Sequence, residues 1–214
     1  MALTLYLHPL SSYCHKALIA LYENGTPFTP QLVELHKPES REAFFKIWPV
    51  GKFPVLTDGE RVIPESTPII DYLALHHPGP ATLIPHEPEA ALAVRALDRF
   101  YDLNVHTHMQ KIIGDRIRPE GRKDPHGVEH ARKAMHTALA IAENDMGGRE
   151  WAAGGGFSLA DCAAAPALFY INEAIDPLAG RYPALTAYLG RLMKRPSYAR
   201  ALAEAQPYLH MLPR

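Results

Sequence analysis

The chain contains few cysteines and no recognisable export signal. Its 214 residues include only Cys14 and Cys162, which are too few for the disulfide framework of a small secreted protein. The N-terminal residues lack the basic region and the long apolar run of a secretion signal. These absences favour a reducing compartment, and we expect the protein to be cytoplasmic.

An excess of charge and a long apolar run are also absent. The 22 Lys and Arg residues oppose 23 Asp and Glu residues, and no basic run stands out, so nucleic acid is not an expected partner. No apolar stretch approaches the length of a membrane span, so we expect no membrane association. Hydrophobic residues make up 47% of the chain, enough for a sizeable core in one large or two small domains.

Strand and helix patterns alternate in the first part of the chain. Strands are predicted by alternation over 3–7 and by apolar residues over 28–35, 55–56 and 61–63. Helices are predicted over 13–24, 40–47 and 67–76, the first of them ending at Gly25 and the second with Ser40 as a cap. The order βαβαββα predicts a thioredoxin-like α/β domain over residues 1–79.

The second part of the chain shows helical patterns only. A proline-rich linker over 77–88 precedes a long predicted helix over 89–118 and another over 128–146. Ser158 and Asp161 have the spacing of a capping box, with Phe157 as its hydrophobic staple, and we expect Asp161 to be structural. Further helices are predicted to begin near Tyr182 and Arg195. Residues 88–214 are therefore expected to form an all-α C-terminal domain.

Two short motifs in the first part suggest a ligand site. Gly51 precedes Phe53 and Pro54, and proline suits the first residue of a strand because it cannot donate a ladder hydrogen bond. A cis bond between Phe53 and Pro54 is plausible, and it would leave the Phe53 main chain unpaired and facing outward. Eleven residues after Pro54, Glu65 and Ser66 open a helix for which Ser66 is a suitable N-cap.

The predicted N-terminus of that helix combines two complementary charges. Its free amides attract an anion, and the Glu65 carboxylate can hold a cation close by. A ligand that carries a carboxylate and an ammonium on one carbon satisfies both groups. The γ-glutamyl end of glutathione is such a ligand.

These motifs resemble the glutathione-binding half of the glutathione transferase superfamily, and the resemblance extends over essentially the whole chain. In that family, a cis-proline loop pairs its main chain with the cysteinyl part of glutathione, and a Glu-Ser or Gln-Ser pair holds the γ-glutamyl end. The resemblance implies these roles for Phe53, Glu65 and Ser66. Lys52 matches a position that often reaches the glycine carboxylate of glutathione.

The resemblance also directs attention to the segment Ser11-Ser12-Tyr13-Cys14. Redox members of the thioredoxin-like fold carry a pair of cysteines at this place, and here the first cysteine position is Ser11. A helix N-terminus stabilises negative charge, so Ser11 is the residue expected to donate a hydrogen bond to the glutathione thiolate and lower its pKa. Serine-type members resemble this arrangement. The zeta-type isomerases have a cysteine directly after the serine pair, where this chain has Tyr13.

Other residues are alternatives to Ser11 as the catalytic residue. A tyrosine-type site is disfavoured, because Leu7 stands at the expected position and Tyr6 points to the other face of its strand. Ser12 replaces Ser11 if the loop is shifted by one residue. Cys14 is either a small residue packed in the first helical turn or a reactive thiol with a lowered pKa.

Several polar residues are weaker candidates. Lys52 is either a glutathione contact or a solvated charge. His36 and Lys37 resemble a pair that touches the glycine end of glutathione in some classes. Asp102 falls where some members reach across the dimer to the neighbouring γ-glutamyl group, and the alternative is an exposed helix charge. No metal site is expected, because His76 and His77, like His106 and His108, do not share a helix face.

The electrophile pocket is not identified by the sequence. On a regular helix, the residues Tyr101, Val105, His108 and Ile112 share one face, which belongs either to the pocket or to the core, with the core favoured. An apolar lining would favour hydrophobic electrophiles.

The sequence thus predicts a cytoplasmic glutathione transferase, a homodimer as the family usually is, which joins glutathione to a hydrophobic electrophile without a metal cofactor. A glutathione-dependent disulfide reductase or isomerase is the alternative enzyme. A non-catalytic glutathione-fold binding protein is the alternative from another class.

Overall fold

The computed structural model describes residues 3–213, and their contacts divide into two compact units. The first unit comprises residues 3–84 together with 197–209, and the second comprises 85–196 together with 210–213. The α/β fold predicted for the first part and the all-α fold predicted for the second are both confirmed. Nothing tests the boundaries 1–79 and 88–214, which stay a prediction.

A four-stranded mixed sheet with the order β2-β1-β3-β4 forms the centre of the first unit. Its strands are β1 (Leu3–Leu7), β2 (Phe28–Leu32), β3 (Val55–Asp58) and β4 (Arg61–Pro64). Strand β1 runs parallel to β2 and antiparallel to β3, while β3 and β4 form a hairpin. The parallel pair requires a crossover, which helix α1 (Ser12–Asn24) supplies between β1 and β2.

Three further helices belong to the first unit. They are α2 (Pro38–Ile47), α3 (Ser66–His76) and, from Ser197 onward, α9 (Pro196–Ala205). Alternating burial along β1 places Leu3, Leu5 and Leu7 in the core. Gly25 ends α1 at φ 64°, a left-handed conformation that glycine adopts without strain. Helix α2 begins two residues before the predicted Ser40, whose hydroxyl instead accepts a hydrogen bond from the amide of Glu34.

All regular elements described in the second unit are helical. Its helices are α4 (Pro88–Phe100), a π-helical segment (Tyr101–His106), α5 (Thr107–Arg116), α6 (Pro125–Met146), α7 (Leu159–Ala174) and α8 (Pro183–Lys194). A short 3₁₀ turn lies at Glu120–Arg122, and a second 3₁₀ segment, Gln206–Met211, continues from α9 and lies mostly in the first unit. Between residues 3 and 213, no helix has the length and hydropathy needed to span a bilayer.

The helical pattern predicted over 89–118 is present as three consecutive helical elements from Pro88 to Arg116, but the π-helical segment makes it irregular. The amide and the hydroxyl of Thr107 both donate to the carbonyl of Asp102, five residues earlier, which widens the helix locally. The extra residue in this turn shifts the buried face by one position. Met109 therefore lies in the core, while His108 is only partly buried.

The capping box at the start of α7 is present as predicted. Asp161 accepts hydrogen bonds from the amide and the hydroxyl of Ser158, and Ser158 caps the helix. The amide of Ala152 and the hydroxyl of Tyr188 also donate to Asp161, which is fully buried. Asp161 thus connects a loop and two helices of the second unit, in agreement with its predicted structural role.

Candidate functional site

The register of the sheet brings three loops to one edge of the first unit. Tyr6 pairs with Val55, and Val55 pairs with Pro64. The end of β1, the start of β3 and the end of β4 therefore lie side by side. The loop that leads into α1, the cis-proline loop and the N-terminus of α3 extend from these three points, so their candidate residues converge although they are distant in sequence.

Ser11 is the N-cap of helix α1. Its hydroxyl oxygen accepts from the amide of Cys14 at 3.3 Å, and its own amide donates to the carbonyl of His8 at 2.9 Å. The Ser11 residue is partly exposed, whereas Ser12 is only 3% exposed. This difference favours Ser11 over Ser12 as the hydroxyl that a ligand could reach.

Cys14 lies in the core beneath this cap. Its side chain is fully buried, and burial raises the pKa of the thiol to about 12, although hydrogen bonds from Ser11 and from the backbone of His8 lower it. A thiol with such a pKa stays protonated near neutral pH, so it is a poor nucleophile. The geometry therefore agrees with the packed interpretation of Cys14.

The Phe53–Pro54 peptide bond is cis. Among the described residues, the Phe53 main chain makes no hydrogen bond to another backbone group, so its amide and carbonyl are available to a peptide ligand. The Phe53 ring packs against Phe44 and His8, with centroid distances of 6.2 and 6.3 Å. Lys52 is exposed and makes no ion pair with a described residue, so its proposed contact with glutathione stays a prediction.

Glu65 has the only positive φ among the non-glycine residues of the described chain, at φ 71° and ψ 140°. Residues with a β-carbon avoid this conformation, and such strain is concentrated at functional sites. Glu65, rather than the predicted Ser66, occupies the N-cap position of α3, and Ser66 is the first helical residue, 3% exposed. The strained turn at Glu65 shifts the cap by one residue.

The Glu65 side chain is exposed and does not cap the helix. The first turn of α3 therefore keeps its amides free of a side-chain cap, and the macrodipole makes this end attractive to an anion. The carboxylate of Glu65 lies next to it. The open helix end and the neighbouring negative charge are the two features on which the prediction of a carboxylate and an ammonium on one carbon rests, and that ligand stays a prediction.

Four further residues at this edge escaped the sequence analysis. His8 follows β1, and its ring lies 5.3 Å from that of Tyr208, which belongs to the C-terminal segment of the same unit. Burial lowers the pKa of His8. Lys16 donates from Nζ to the hydroxyl of Thr67 at 2.7 Å. Both contacts join residues that are far apart in sequence, so no local pattern predicts them.

Two of the weaker candidates, Lys37 and Asp102, are paired with neighbouring side chains. Lys37 forms an exposed ion pair with Glu34 at 2.7 Å. Asp102 is 5% exposed and accepts a hydrogen bond from Arg99 within the second unit, so the alternative of an exposed helix charge is wrong. Across the described residues, no group of three or more His, Cys, Asp and Glu side chains is arranged to hold a metal ion.

The predicted face of the first long helix belongs largely to the core. Tyr101, Val105 and Ile112 are almost completely buried within the second unit. His108 departs from this face because of the π-helical turn, as described above. These positions support the interpretation that most of the face packs in the interior.

Two family models match the chain, and together they cover most of it. The N-terminal domain of glutathione S-transferases matches residues 5–81, and the C-terminal domain of the same family matches residues 100–196. The chain belongs to the glutathione transferase superfamily. The family resemblance inferred from the motifs is thereby confirmed.

Individual relatives in the superfamily differ in their names. A stringent starvation protein A homolog of Coxiella burnetii is 28% identical over 97% of this chain and 94% of its own length. A probable maleylacetoacetate isomerase of Vibrio cholerae is 27% identical over 97% of this chain and 98% of its own length. A crystal structure of a glutathione S-transferase from Methylobacillus flagellatus with glutathione bound superposes with a TM-score of 0.85, at 28% identity, over 94% of this chain and 98% of the other.

Proposed function

We propose that this member of the superfamily is a glutathione transferase that joins the thiolate of glutathione to a hydrophobic electrophile. The observation that carries the proposal is the convergence of three elements in the first unit. These are the capped N-terminus of α1 at Ser11, the cis-proline loop at Phe53, and the open N-terminus of α3 at Glu65 and Ser66. The relative solved with glutathione bound supports the same ligand for this chain.

Each part of glutathione has a complementary group in this arrangement. The γ-glutamyl carboxylate binds at the first turn of α3 beside Ser66, and the γ-glutamyl ammonium pairs with Glu65. The cysteinyl backbone pairs with the main chain of Phe53, whose amide and carbonyl lack other backbone partners among the described residues. Lys52, which is exposed, assists at the glycine carboxylate.

Ser11 stabilises the reactive sulfur. Its oxygen already accepts from the Cys14 amide, so its own proton remains available to a thiolate. That hydrogen bond lowers the pKa of the glutathione thiol, whose proton passes to solvent. The thiolate then forms a C–S bond with the electrophilic carbon, and either a leaving group departs with its electron pair or the carbanion formed from an enone takes a proton from water.

The alternative enzyme is a glutathione-dependent isomerase or disulfide reductase. The relative from Vibrio cholerae, a probable maleylacetoacetate isomerase, favours the isomerase. The buried, protonated thiol of Cys14 disfavours a reductase that depends on this cysteine. A non-catalytic binding protein is the remaining alternative, against which the intact set Ser11, Glu65 and Ser66 argues.

A homodimer in the cytoplasm is the proposed form of the protein. Exposed apolar side chains occur on both units, among them Val50 at 59%, Leu92 at 62% and Leu103 at 56%, and a second copy of the chain could cover such residues. The two buried cysteines form no disulfide, which suits a reducing compartment. Light scattering coupled to gel filtration tests the dimer, and a monomer at micromolar concentration would contradict it.

Calorimetric titration with glutathione followed by a substrate panel tests the function. The panel contains aryl halides, enones, peroxides, disulfides and a cis-configured dienone acid, each supplied with glutathione. We expect glutathione to bind, and conjugation of aryl halides or enones to exceed disulfide reduction and isomerisation. Isomerisation or reduction in excess of conjugation would favour the alternative enzyme, and binding without turnover would favour the non-catalytic protein.

A further inference from the structure

Lys16 is a fully buried lysine in the core of the first unit. Its exposed fraction is 0%, and it lies within the buried stretch of α1, between His15 and Ala17. Removing an ammonium group from water is costly unless polar partners compensate for the lost hydration. An apolar residue would fill this position without that cost, so the charged group calls for an explanation beyond packing.

The Lys16 side chain crosses from α1 to the beginning of α3. Its Nζ donates to the hydroxyl of Thr67 at 2.7 Å, and helices α1 and α3 pack against each other. Thr67 is the second residue of α3 and directly follows Ser66. The ammonium therefore lies behind the helical turn whose amides form the proposed anion site.

On the other side of that turn, no described side chain caps the helix. Glu65 occupies the N-cap position in a strained conformation, and its side chain makes no capping hydrogen bond. The placement of the first turn consequently depends on contacts made from within the unit, and the bond from Lys16 to Thr67 is one of them. The ammonium of Lys16 and the N-terminal end of the helix dipole are both positive, so both favour an anion at this turn.

We propose that Lys16 is a positioning residue for the γ-glutamyl carboxylate of glutathione. Through Thr67 it holds the first turn of α3 in the orientation that presents the Ser66 amide and hydroxyl to this carboxylate. The inference rests on the proposed function, because it assumes glutathione as the ligand. It extends that function by assigning recognition of one carboxylate to a side chain that does not itself reach the surface.

The test compares two ligands that differ only in this carboxylate. Glutathione and its decarboxylated analogue, 4-aminobutyryl-cysteinyl-glycine, are titrated calorimetrically into the wild type and into Lys16→Met. We expect Lys16→Met to raise the dissociation constant for glutathione about tenfold, the loss typical of one charge-assisted hydrogen bond. The dissociation constant for the analogue should change less than about twofold, because the analogue makes no use of the site.

Companion variants separate positioning from stability. Lys16→Arg should restore most of the selectivity for glutathione, since it keeps a buried cation with donors. Ile19→Val, which removes one buried methyl group from the same helix, destabilises α1 without touching the site and should weaken neither ligand. Thr67→Val removes the hydroxyl and should reproduce the selective loss, so the proposal remains testable if Lys16→Met does not fold.

The outcomes are distinguishable. Equal weakening of both ligands by Lys16→Met and by Thr67→Val would mean that Lys16 only stabilises the fold, and the proposal would be overturned while the proposed function stands. A wild type that binds glutathione and the analogue equally well would also overturn it, because the carboxylate would then have no site. A wild type that binds neither ligand would overturn the proposed function, and this inference with it.

Discussion

The amide of Cys14 donates to the hydroxyl oxygen of Ser11 at 3.3 Å, which joins the two candidate catalytic residues of this segment in one helical cap. Their environments differ sharply. Ser11 is partly exposed, while Cys14 is fully buried with the pKa of its thiol raised to about 12. The cap fixes the oxygen of Ser11 and leaves its proton for a ligand. This relationship supports the proposal that Ser11 acts on the sulfur of glutathione while Cys14 packs in the core.

Replacement of Ser11 by alanine should act mainly on the ionisation of bound glutathione. Affinity should stay close to that of the wild type, because Glu65, Ser66 and the Phe53 main chain remain. Turnover near neutral pH should fall roughly tenfold for each pKa unit that the thiol regains. The defect should shrink at higher pH, where the thiol ionises without help. Ultraviolet difference titration of the bound thiolate and a pH profile of kcat/KM measure both effects.

Three companion variants control this experiment. Ser12→Ala and Cys14→Ala should have milder effects on turnover, and Ser11→Thr should keep much of it because it retains a hydroxyl. The lost N-cap of Ser11→Ala is expected to cost about 1 kcal/mol of stability, which urea unfolding measures separately. If Cys14→Ala abolished turnover while Ser11→Ala left the thiol pKa unchanged, the enzyme would be a cysteine-dependent oxidoreductase.

Replacing Glu65 by glycine should weaken the binding of glutathione but relieve backbone strain. Its positive φ disfavours any residue with a β-carbon, so Glu65→Gly should unfold with a free energy about 1 kcal/mol higher than Glu65→Ala. Both variants should bind glutathione at least about tenfold more weakly than the wild type, because each removes the partner of the γ-glutamyl ammonium. Urea unfolding and calorimetric titration provide the two measurements.

The matched control is Glu60→Ala, which removes an exposed carboxylate from the turn of the same hairpin. It should alter neither the affinity for glutathione nor the stability by a measurable amount. Normal glutathione affinity in Glu65→Ala would show that the carboxylate takes no part in binding. A Glu65→Gly variant less stable than Glu65→Ala would instead argue against backbone strain at this position.

Local patterns predicted the fold of this chain well. The alternation over Leu3–Leu7 predicted strand β1, and the glycine after α1 predicted where that helix ends. Both features depend only on residues close in sequence, and both are present. The helix predicted over 89–118 is present, but its π-helical turn was not foreseen, because the bond from Thr107 to Asp102 replaces the regular four-residue spacing by five. A helical pattern of polar and apolar residues does not distinguish these two spacings in advance.

The candidate site was predictable only where its chemistry is local. Glu65 and Ser66 were found because they are adjacent and open a helix. Lys16 was not, because its partner Thr67 is 51 residues away and a lysine in a helix is ordinarily solvated. Tyr208 near His8 escaped for the same reason, since their contact depends on the chain returning to the first unit after the second.

Asp161 should be among the most sensitive positions for stability. It accepts hydrogen bonds from two amides and two hydroxyls, and each buried donor left without a partner costs about 1–3 kcal/mol. Asp161→Ala should therefore lower the free energy of unfolding by at least about 3 kcal/mol. Ser158→Ala should cost about 1 kcal/mol. Urea unfolding followed by circular dichroism measures both, and similar values for the two variants would contradict the central role of the carboxylate.

His15 should make the first unit sensitive to acid. Its ring is fully buried, and burial lowers the pKa to about 4, more than the hydrogen bond between Nε2 and the Pro9 carbonyl raises it. In the unfolded chain the pKa of histidine is about 6.5. As the pH falls below 6.5, His15 binds a proton in the unfolded state, whereas in the folded state it stays neutral until about pH 4. Acid therefore favours unfolding.

The expected loss is about 2 kcal/mol between pH 7.5 and pH 5, where the unfolded histidine is charged and the folded one is still mostly neutral. His15→Gln keeps a donor for the Pro9 carbonyl and removes the titration, so its unfolding free energy should lack this part of the pH dependence. His86→Gln, at an exposed position, serves as the control and should retain the pH dependence of the wild type. Urea unfolding at several pH values compares the three proteins. Parallel pH profiles for the wild type and His15→Gln would show that His15 is already able to take up its proton in the folded protein near pH 6.5.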